Sequence, residues 1–305
     1  MTSKIEFRVL LAFTAIYIIW GTTYLAIRIG VQSLPPFLMA TMRFGIAGTI
    51  MLIYANWNKE RMPWVAIINQ MALGAFMLTL GQGVLFWAEK YISSGLTAVL
   101  ISALPVWYII TDRSQWADYF HSKLTLLSIA LGITGIVLLF KNQLTGGAPT
   151  GGSTTIIATL VVILSCFCWA VGSLYYKNHP QPGSLFQHVG WQLIGGTIAC
   201  LLVSGFTGEF KSFSIAAIPL KAWGAVLYLA IAGSIVAYTA MYWLLARKPA
   251  AIVGTYAYVN PVIAVILGHF IANETVSLIQ VIAMTIILIA AWLANTVKYQ
   301  AVNTD

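Results

Sequence analysis

Apolar residues run in long blocks along this chain, and the polar breaks between them are short. About 20 apolar residues are enough to cross a bilayer. Ten blocks reach that length, at 7–28, 36–56, 65–88, 93–115, 123–140, 154–176, 184–206, 219–245, 249–271 and 275–297. Each predicts a membrane-crossing helix, because a single segment in lipid must satisfy its own backbone polar groups. The longest connection is the glycine-rich KNQLTGGAPTGGS at 141–153, and a smaller polar loop lies at 207–218. The first of these divides the pattern into five helices and five.

The two sets read as copies. Residues 229–261, LAIAGSIVAYTAMYWLLARKPAAIVGTYAYVNP, lie without a gap on residues 73–105, LGAFMLTLGQGVLFWAEKYISSGLTAVLISALP. Leu73 falls on Leu229, Phe86 on Tyr242, Trp87 on Trp243 and Pro105 on Pro261. In each copy two apolar helices meet at a tight polar turn and a proline interrupts the second. The first helix carries Trp20-Gly21-Thr22-Thr23-Tyr24 and the sixth carries Trp169-Ala170-Val171-Gly172-Ser173. Five is an odd number, so the second copy enters the membrane from the other side. The expectation is an all-α membrane protein with ten transmembrane helices in two inverted five-helix repeats, 1–143 and 144–305.

Composition supports this reading. Of 305 residues 60% are hydrophobic and 8% are charged, against about 25% charged in a soluble domain. The net charge of +8 comes from Lys and Arg placed singly between apolar blocks, without a basic run interleaved with exposed aromatics, so nucleic-acid binding is excluded as a reading. With a cytoplasmic N-terminus, the inner segments hold Lys4, Arg8, Lys59, Arg61, Arg113, Lys123, Lys177, Arg247, Lys248 and Lys298. The outer segments hold Arg28, Lys90, Lys141, Lys211 and Lys221. Ten against five predicts both termini inside. The apolar run from Val9 to about Ile29 is too long for a signal-peptide core and reads as a retained first helix. Cys166, Cys168 and Cys200 lie inside apolar blocks with neither disulfide-framework nor zinc spacing, and Cys166-Phe167-Cys168 reads as ordinary helix surface.

Three stretches carry a family resemblance: IIWGTTYLAIR in helix one, MATMRFGIAGTIML in helix two, and TYAYVNPVIAVILGHFIANETVSLIQVIAMTIIL in helices nine and ten. They resemble the EamA family of the drug/metabolite transporter superfamily over nearly the whole chain. The resemblance implies ten helices in two inverted halves, cytoplasmic termini, residence in a bacterial inner membrane, and export of small metabolites. It leaves the substrate open. Ala117-Asp118-Tyr119 stands where the family has Gly-Glu at the start of helix five, and Asn273-Glu274 keeps the acid without the glycine.

The chain holds no HExxH, no nucleophile with a sequence-local His and acid, and no phosphate-cradling glycine loop in a strand-to-helix setting. No enzyme activity, cofactor or metal is expected. Arg43, about two turns into helix two, is the one ionisable residue clearly inside a helix, and such groups are costly in lipid and usually functional. It is either a packing clamp on backbone carbonyls or an anion contact. No Asp or Glu falls mid-helix, and Glu89, Asp112 and Glu274 are read at helix ends. Transport is therefore expected to respond little to a proton gradient. His188 and His269 are read as interfacial.

The remaining candidates are aromatic or polar and neutral. Trp20 with Tyr24, Trp169 with Ser173, Gln82 with Phe86 and Tyr238 with Tyr242 are pairs sharing a helix face. Helix nine adds Tyr256, Tyr258 and Asn260 before Pro261. These side chains are expected to wall a cavity that stacks on a small solute and bonds its polar end, with helix packing and interfacial belts as the alternative. Trp64, Trp87 and Trp243, near helix ends, are read as belt. Pro105 and Pro261 are candidate hinges. The functional expectation is an alternating-access exporter of an amino acid or similar amphipathic compound. A multidrug exporter, a membrane enzyme and a non-transporting scaffold are the alternatives. The expected partners are a small solute and the lipid bilayer, with a monomer or weak homodimer as the assembly.

Overall fold

A computed structural model describes residues 2–92, 94–139, 152–272 and 278–296. The repeat boundary, most of the 141–153 linker, Asn273-Glu274 and the side chain of His269 lie outside the described residues. Among the described residues every regular element is helical. The elements are α1 (Thr2–Val31), α2 (Pro36–Trp57), α3 (Trp64–Ala88), α4 (Ser94–Ile101), α5 (Leu104–Thr111), α6 (Trp116–His121) and α7 (Lys123–Leu139), then α8 (Gly152–Asn178), α9 (Leu185–Phe206), α10 (Leu220–Leu245), α11 (Ala250–Val253), α12 (Tyr256–Ala272) and α13 (Leu278–Thr296).

Prolines place several of the starts. α2 begins at Pro36, and α3, α10 and α11 begin directly after Pro63, Pro219 and Pro249. A fixed φ and a missing N–H suit proline to that position. α9 begins on a capping box instead: Ser184 Oγ accepts from the Gln187 N–H at 3.2 Å, and Gln187 Oε1 accepts from the Ser184 N–H at 3.1 Å. The first turn of α2 lacks a side-chain cap of its own. Glu209, far along the chain, supplies one by accepting the N–H groups of Phe37 at 3.2 Å and Leu38 at 2.9 Å. A carboxylate there also meets the positive end of the helix dipole.

Six of the ten predicted segments form helices long and apolar enough to cross a membrane: Glu6–Val31, Pro36–Trp57, Trp64–Ala88, Ser153–Asn178, Leu185–Phe206 and Leu220–Leu245. The other four contain broken or shorter helices. The fourth breaks between α4 and α5 at Ser102 and Ala103, just ahead of Pro105 in the first turn of α5. The ninth breaks between α11 and α12 at Gly254 and Thr255, so Pro261 lies within a helix and does not interrupt one, contrary to the sequence expectation. α6 and α7 meet at a 93° bend.

Packing follows a paired scheme. α1 packs on α10 and α12, while α8 packs on α3 and on α4 and α5. α2 lies along α9, and α7 lies along α13. The α3–α9 crossing is close enough to bring backbones together. A Cβ at Gly74 would stand 1.9 Å from the Gln192 carbonyl oxygen, and one at Gly195 would stand 2.0 Å from that of Met71. Small residues permit this approach in lipid, where close packing replaces the hydrophobic effect as the force between helices. Large apolar side chains face outward, among them Val65, Phe206, Leu220 and Trp292, as lipid requires.

Polar contacts between turns gather at two opposite ends. At one, Ser184 bonds Glu60 and Lys177 donates to the Lys248 carbonyl at 3.0 Å. At the other, Arg28 donates to the Glu89 carbonyl and Glu209 caps α2. α3 and α10 each pass through a π-helical stretch between these ends, at Met77–Gly83 and Leu229–Val236.

Candidate functional site

The two π-helical stretches face the middle of the molecule, and the site is built around them. A π segment misaligns the backbone ladder and leaves groups for other partners, which is why such segments recur at functional positions. Here Trp20 Nε1 donates to the Gly233 carbonyl at 3.0 Å, and Arg43 Nε donates to Ser234 Oγ at 2.8 Å. Gly81 lets the α3 backbone approach Trp169, whose Cε3 would lie 3.2 Å from a Cβ at that position. Both π segments are thereby tied to side chains from α1, α2 and α8.

These side chains enclose a central cavity of about 60 Å³. Trp20, Thr23, Tyr24, Arg43, Gln82, Phe86, Trp169 and Tyr256 line it, with Leu85, Ile101, Leu104, Ser165 and Cys166. Small-molecule sites usually measure about 300–1,000 Å³, so the helices here are drawn together around a contracted space. Arg43, 3% exposed, is the charged residue of the lining. Its guanidinium carbon sits 5.3 Å from the Phe44 ring centre and 5.8 Å from that of Phe86, within cation–π range. It both holds Ser234 and forms part of the wall, so the clamp and the cavity contact meet in one side chain.

Trp20 and Trp169 meet edge to face with ring centres 5.8 Å apart. Trp20 also stacks edgewise on Tyr256 at 4.5 Å. Two polar atoms of the lining make no hydrogen bond: Gln82 Oε1 and Trp169 Nε1. The indole lies near the Tyr108 and Tyr256 hydroxyls without bonding either. Buried polar groups are normally satisfied, so an unmet acceptor and an unmet donor on two residues of one lining are groups a polar solute can complete.

The other predicted site residues lie outside the lining. Tyr238 stands behind Trp169, ring centres 5.7 Å apart. The Tyr238 and Tyr242 hydroxyls both donate to Gln192 Oε1 at 2.7 Å, and Gln192 Nε2 donates to Gln70 Oε1 at 2.5 Å. This closed, buried network continues through Tyr176, 4.1 Å from Tyr242 by ring centres, to His188, whose Nδ1 lies 3.0 Å from the Tyr176 hydroxyl. Ser173 Oγ donates back to the Trp169 carbonyl at 2.7 Å. Asn260 backs the wall, its Nδ2 donating to the Tyr24 hydroxyl at 3.3 Å. Tyr258 packs elsewhere, with Ile136, Val262, Ala283 and Ile287.

Two sequence readings change. Cys166 and Cys168 are buried, not helix surface, and Cys166 is part of the lining. Ser165 and Cys166 fall four and three residues before Trp169, a spacing that shares its face. Glu89, read as a helix-end carboxylate, is fully buried with neither oxygen hydrogen-bonded.

Comparison with known proteins agrees with the geometry. The model of the EamA-like transporter family matches twice, at residues 7–141 and 156–296. The chain is 33% identical over 291 residues to the uncharacterized inner membrane transporter YedA of Escherichia coli K12, covering 94% of this chain and 90% of that one. It is 25% identical to the protein PecM of Dickeya dadantii, over 89% and 87% of the two chains. It is 21% identical to a probable amino-acid metabolite efflux pump of E. coli K12, over 90% of each. A crystal structure 20% identical in sequence superposes with a TM-score of 0.72, covering 95% of this chain and 96% of its own. The duplicated match and the near-full-length relatives place this chain in the EamA-like transporter family.

Proposed function

We propose that the protein exports a small zwitterionic or amphipathic metabolite, an amino acid or a compound like one, by alternating access. The cavity lining carries this reading. Arg43 and the unpaired Trp169 Nε1 suit a carboxylate, the unpaired Gln82 Oε1 suits an amine, and the Trp20, Trp169 and Phe86 rings suit an apolar side chain. A lone Arg in the lining opposes a cationic drug, and the lining holds no acid to attract one. Relatives named as transporters and an efflux pump support carriage over catalysis.

The paired packing scheme and the double family match support two inverted halves, divided near 143/144. Contact between α2 and α9 and between α7 and α13 is what a pseudo-two-fold axis in the membrane plane would produce. The contracted cavity is then one state of a cycle. The breaks at Ser102–Ala103, beside Pro105, and at Gly254–Thr255, ahead of Pro261, are its hinges. The end bearing Lys59, Arg61, Lys177, Arg247 and Lys248 faces the cytoplasm with both termini. The carrier works as a monomer or weak homodimer in the bacterial inner membrane.

Uptake into proteoliposomes of labelled amino acids, nucleosides and a cationic dye tests the reading. Saturable uptake of one or more amino acids, lost in Arg43→Gln, is the expected result. Saturable uptake of the dye alone would overturn the substrate class, and uptake of nothing beyond protein-free vesicles would overturn the carrier.

A further inference from the structure

Glu89 ends α3 one turn beyond the cavity. Its N–H donates to the Leu85 carbonyl at 2.9 Å, so the helix is intact up to it. Gln82, Leu85, Phe86 and Glu89 are spaced three, one and three residues apart, which puts them on one helix face. The first three line the cavity. Glu89 is 0% exposed, and neither carboxyl oxygen has a hydrogen-bond partner.

An ionised carboxylate in that position is costly, because burial removes its hydration and no hydrogen bond replaces it. The elements packed around it bring few groups to offset this. α1 presents Arg28 and Tyr24. Of these, Arg28 is the counter-charge that acts on Glu89. Its guanidinium is engaged with the backbone carbonyl of Glu89, not with the carboxyl. Burial pushes the Glu89 carboxyl well above the usual carboxylate range, and Arg28 opposes that only in part. The contracted cavity therefore belongs with a neutral Glu89. Once ionised, the side chain is better placed in water, and reaching water requires the helices packed over the end of α3 to part from it.

We propose that Glu89 is a proton-binding site of the carrier, holding a proton while the cavity is contracted and releasing it to water as the cavity opens. This departs from the expectation that transport responds little to the proton gradient, which rested on no acid falling mid-helix. It rests on reading the cavity as a carrier site, but its test needs no solute, so either can fail alone.

Cys166 reports on cavity opening. With Cys168→Ser and Cys200→Ser in place, its labelling by N-ethylmaleimide is followed in Glu89 protein and in Glu89→Gln at matched pH. The ratio of the two rates cancels the thiol's own titration. One proton can change that ratio by at most about tenfold per pH unit. The expected result is a several-fold rise in the wild-type rate relative to Glu89→Gln as the pH is raised from the ordinary carboxylate range into the alkaline range. A constant ratio would overturn the proposal. Should Glu89→Gln not fold, Arg28→Gln serves, since its amide can still donate to the Glu89 carbonyl. Removing the counter-charge must move the wild-type labelling transition to higher pH, and an unmoved transition overturns the proposal equally.

Discussion

Tyr238 and Tyr242 provide the sharpest test of where the site ends. Both hydroxyls donate to one acceptor, Gln192 Oε1, at 2.7 Å. Tyr238→Phe leaves that oxygen with the Tyr242 bond, and Tyr242→Phe leaves it with the Tyr238 bond. Each single change should cost about 0.5–1.5 kcal/mol, the net worth of one hydrogen bond. Membrane hydrogen bonds average about 0.6 kcal/mol, which favours the lower end. The double variant differs in kind. It strands a buried carbonyl oxygen, and an unmet buried acceptor adds about 1–3 kcal/mol. The loss in the double variant should therefore exceed the sum of the singles by about 1 kcal/mol or more, where unconnected sites add within about 0.3–0.5 kcal/mol. Unfolding of the purified protein by sodium dodecyl sulfate, followed by tryptophan fluorescence, reads all four corners of the cycle. Solute affinity should be near wild type in both singles, because neither hydroxyl lies in the cavity lining. Additive stability losses combined with a several-fold loss of affinity would refute the reasoning and return the two tyrosines to the substrate.

Trp20→Phe removes the indole bond to Gly233 and part of two edge-to-face contacts, so solute affinity should fall several-fold, whereas Trp87→Ala, outside the lining, should leave it unchanged in an equilibrium binding assay. Gly74→Ala and Gly195→Ala drive a Cβ into backbone across the α3–α9 crossing, and each should abolish a monodisperse peak in size-exclusion chromatography, while Gly224→Ala, with open space around it, should not. Raising the pH should lower thermal stability as Glu89 loses its proton: with its pKa raised on folding, its stabilisation is full below the unfolded value and lost as pH passes the folded one. Melting curves of Glu89→Gln should show a smaller alkaline loss, and equal losses would count against the assignment. Single cysteines at Lys59 and Gly208 in a cysteine-free background should react with an impermeant maleimide in intact cells at Gly208 only.

Much of this protein was legible in its sequence. Lipid imposes a length of apolar chain on each crossing, so blocks such as 36–56 and 184–206 announce their helices without reference to any partner. The alignment of 73–105 with 229–261 was legible too, and the family model matches the chain twice, at 7–141 and 156–296. Helical period alone puts Trp20 and Tyr24 on one face, and both line the cavity together with Trp169. What the period does not give is depth. Tyr238 and Trp169 both face the interior, but only the crossing of α3 on α9 at Gly74 and Gly195 decides that Trp169 reaches the cavity while Tyr238 bonds Gln192 behind it. The π-helical stretches leave no mark in the apolar pattern, and they aim Gly233 and Ser234 at Trp20 and Arg43. Glu89 shows the limit most clearly. Along the chain it is an acid at the end of an apolar block, a place that normally lies in water. Its burial comes from α1 and α8 closing over the end of α3, and that closure is a property of the assembled helices and of no single segment.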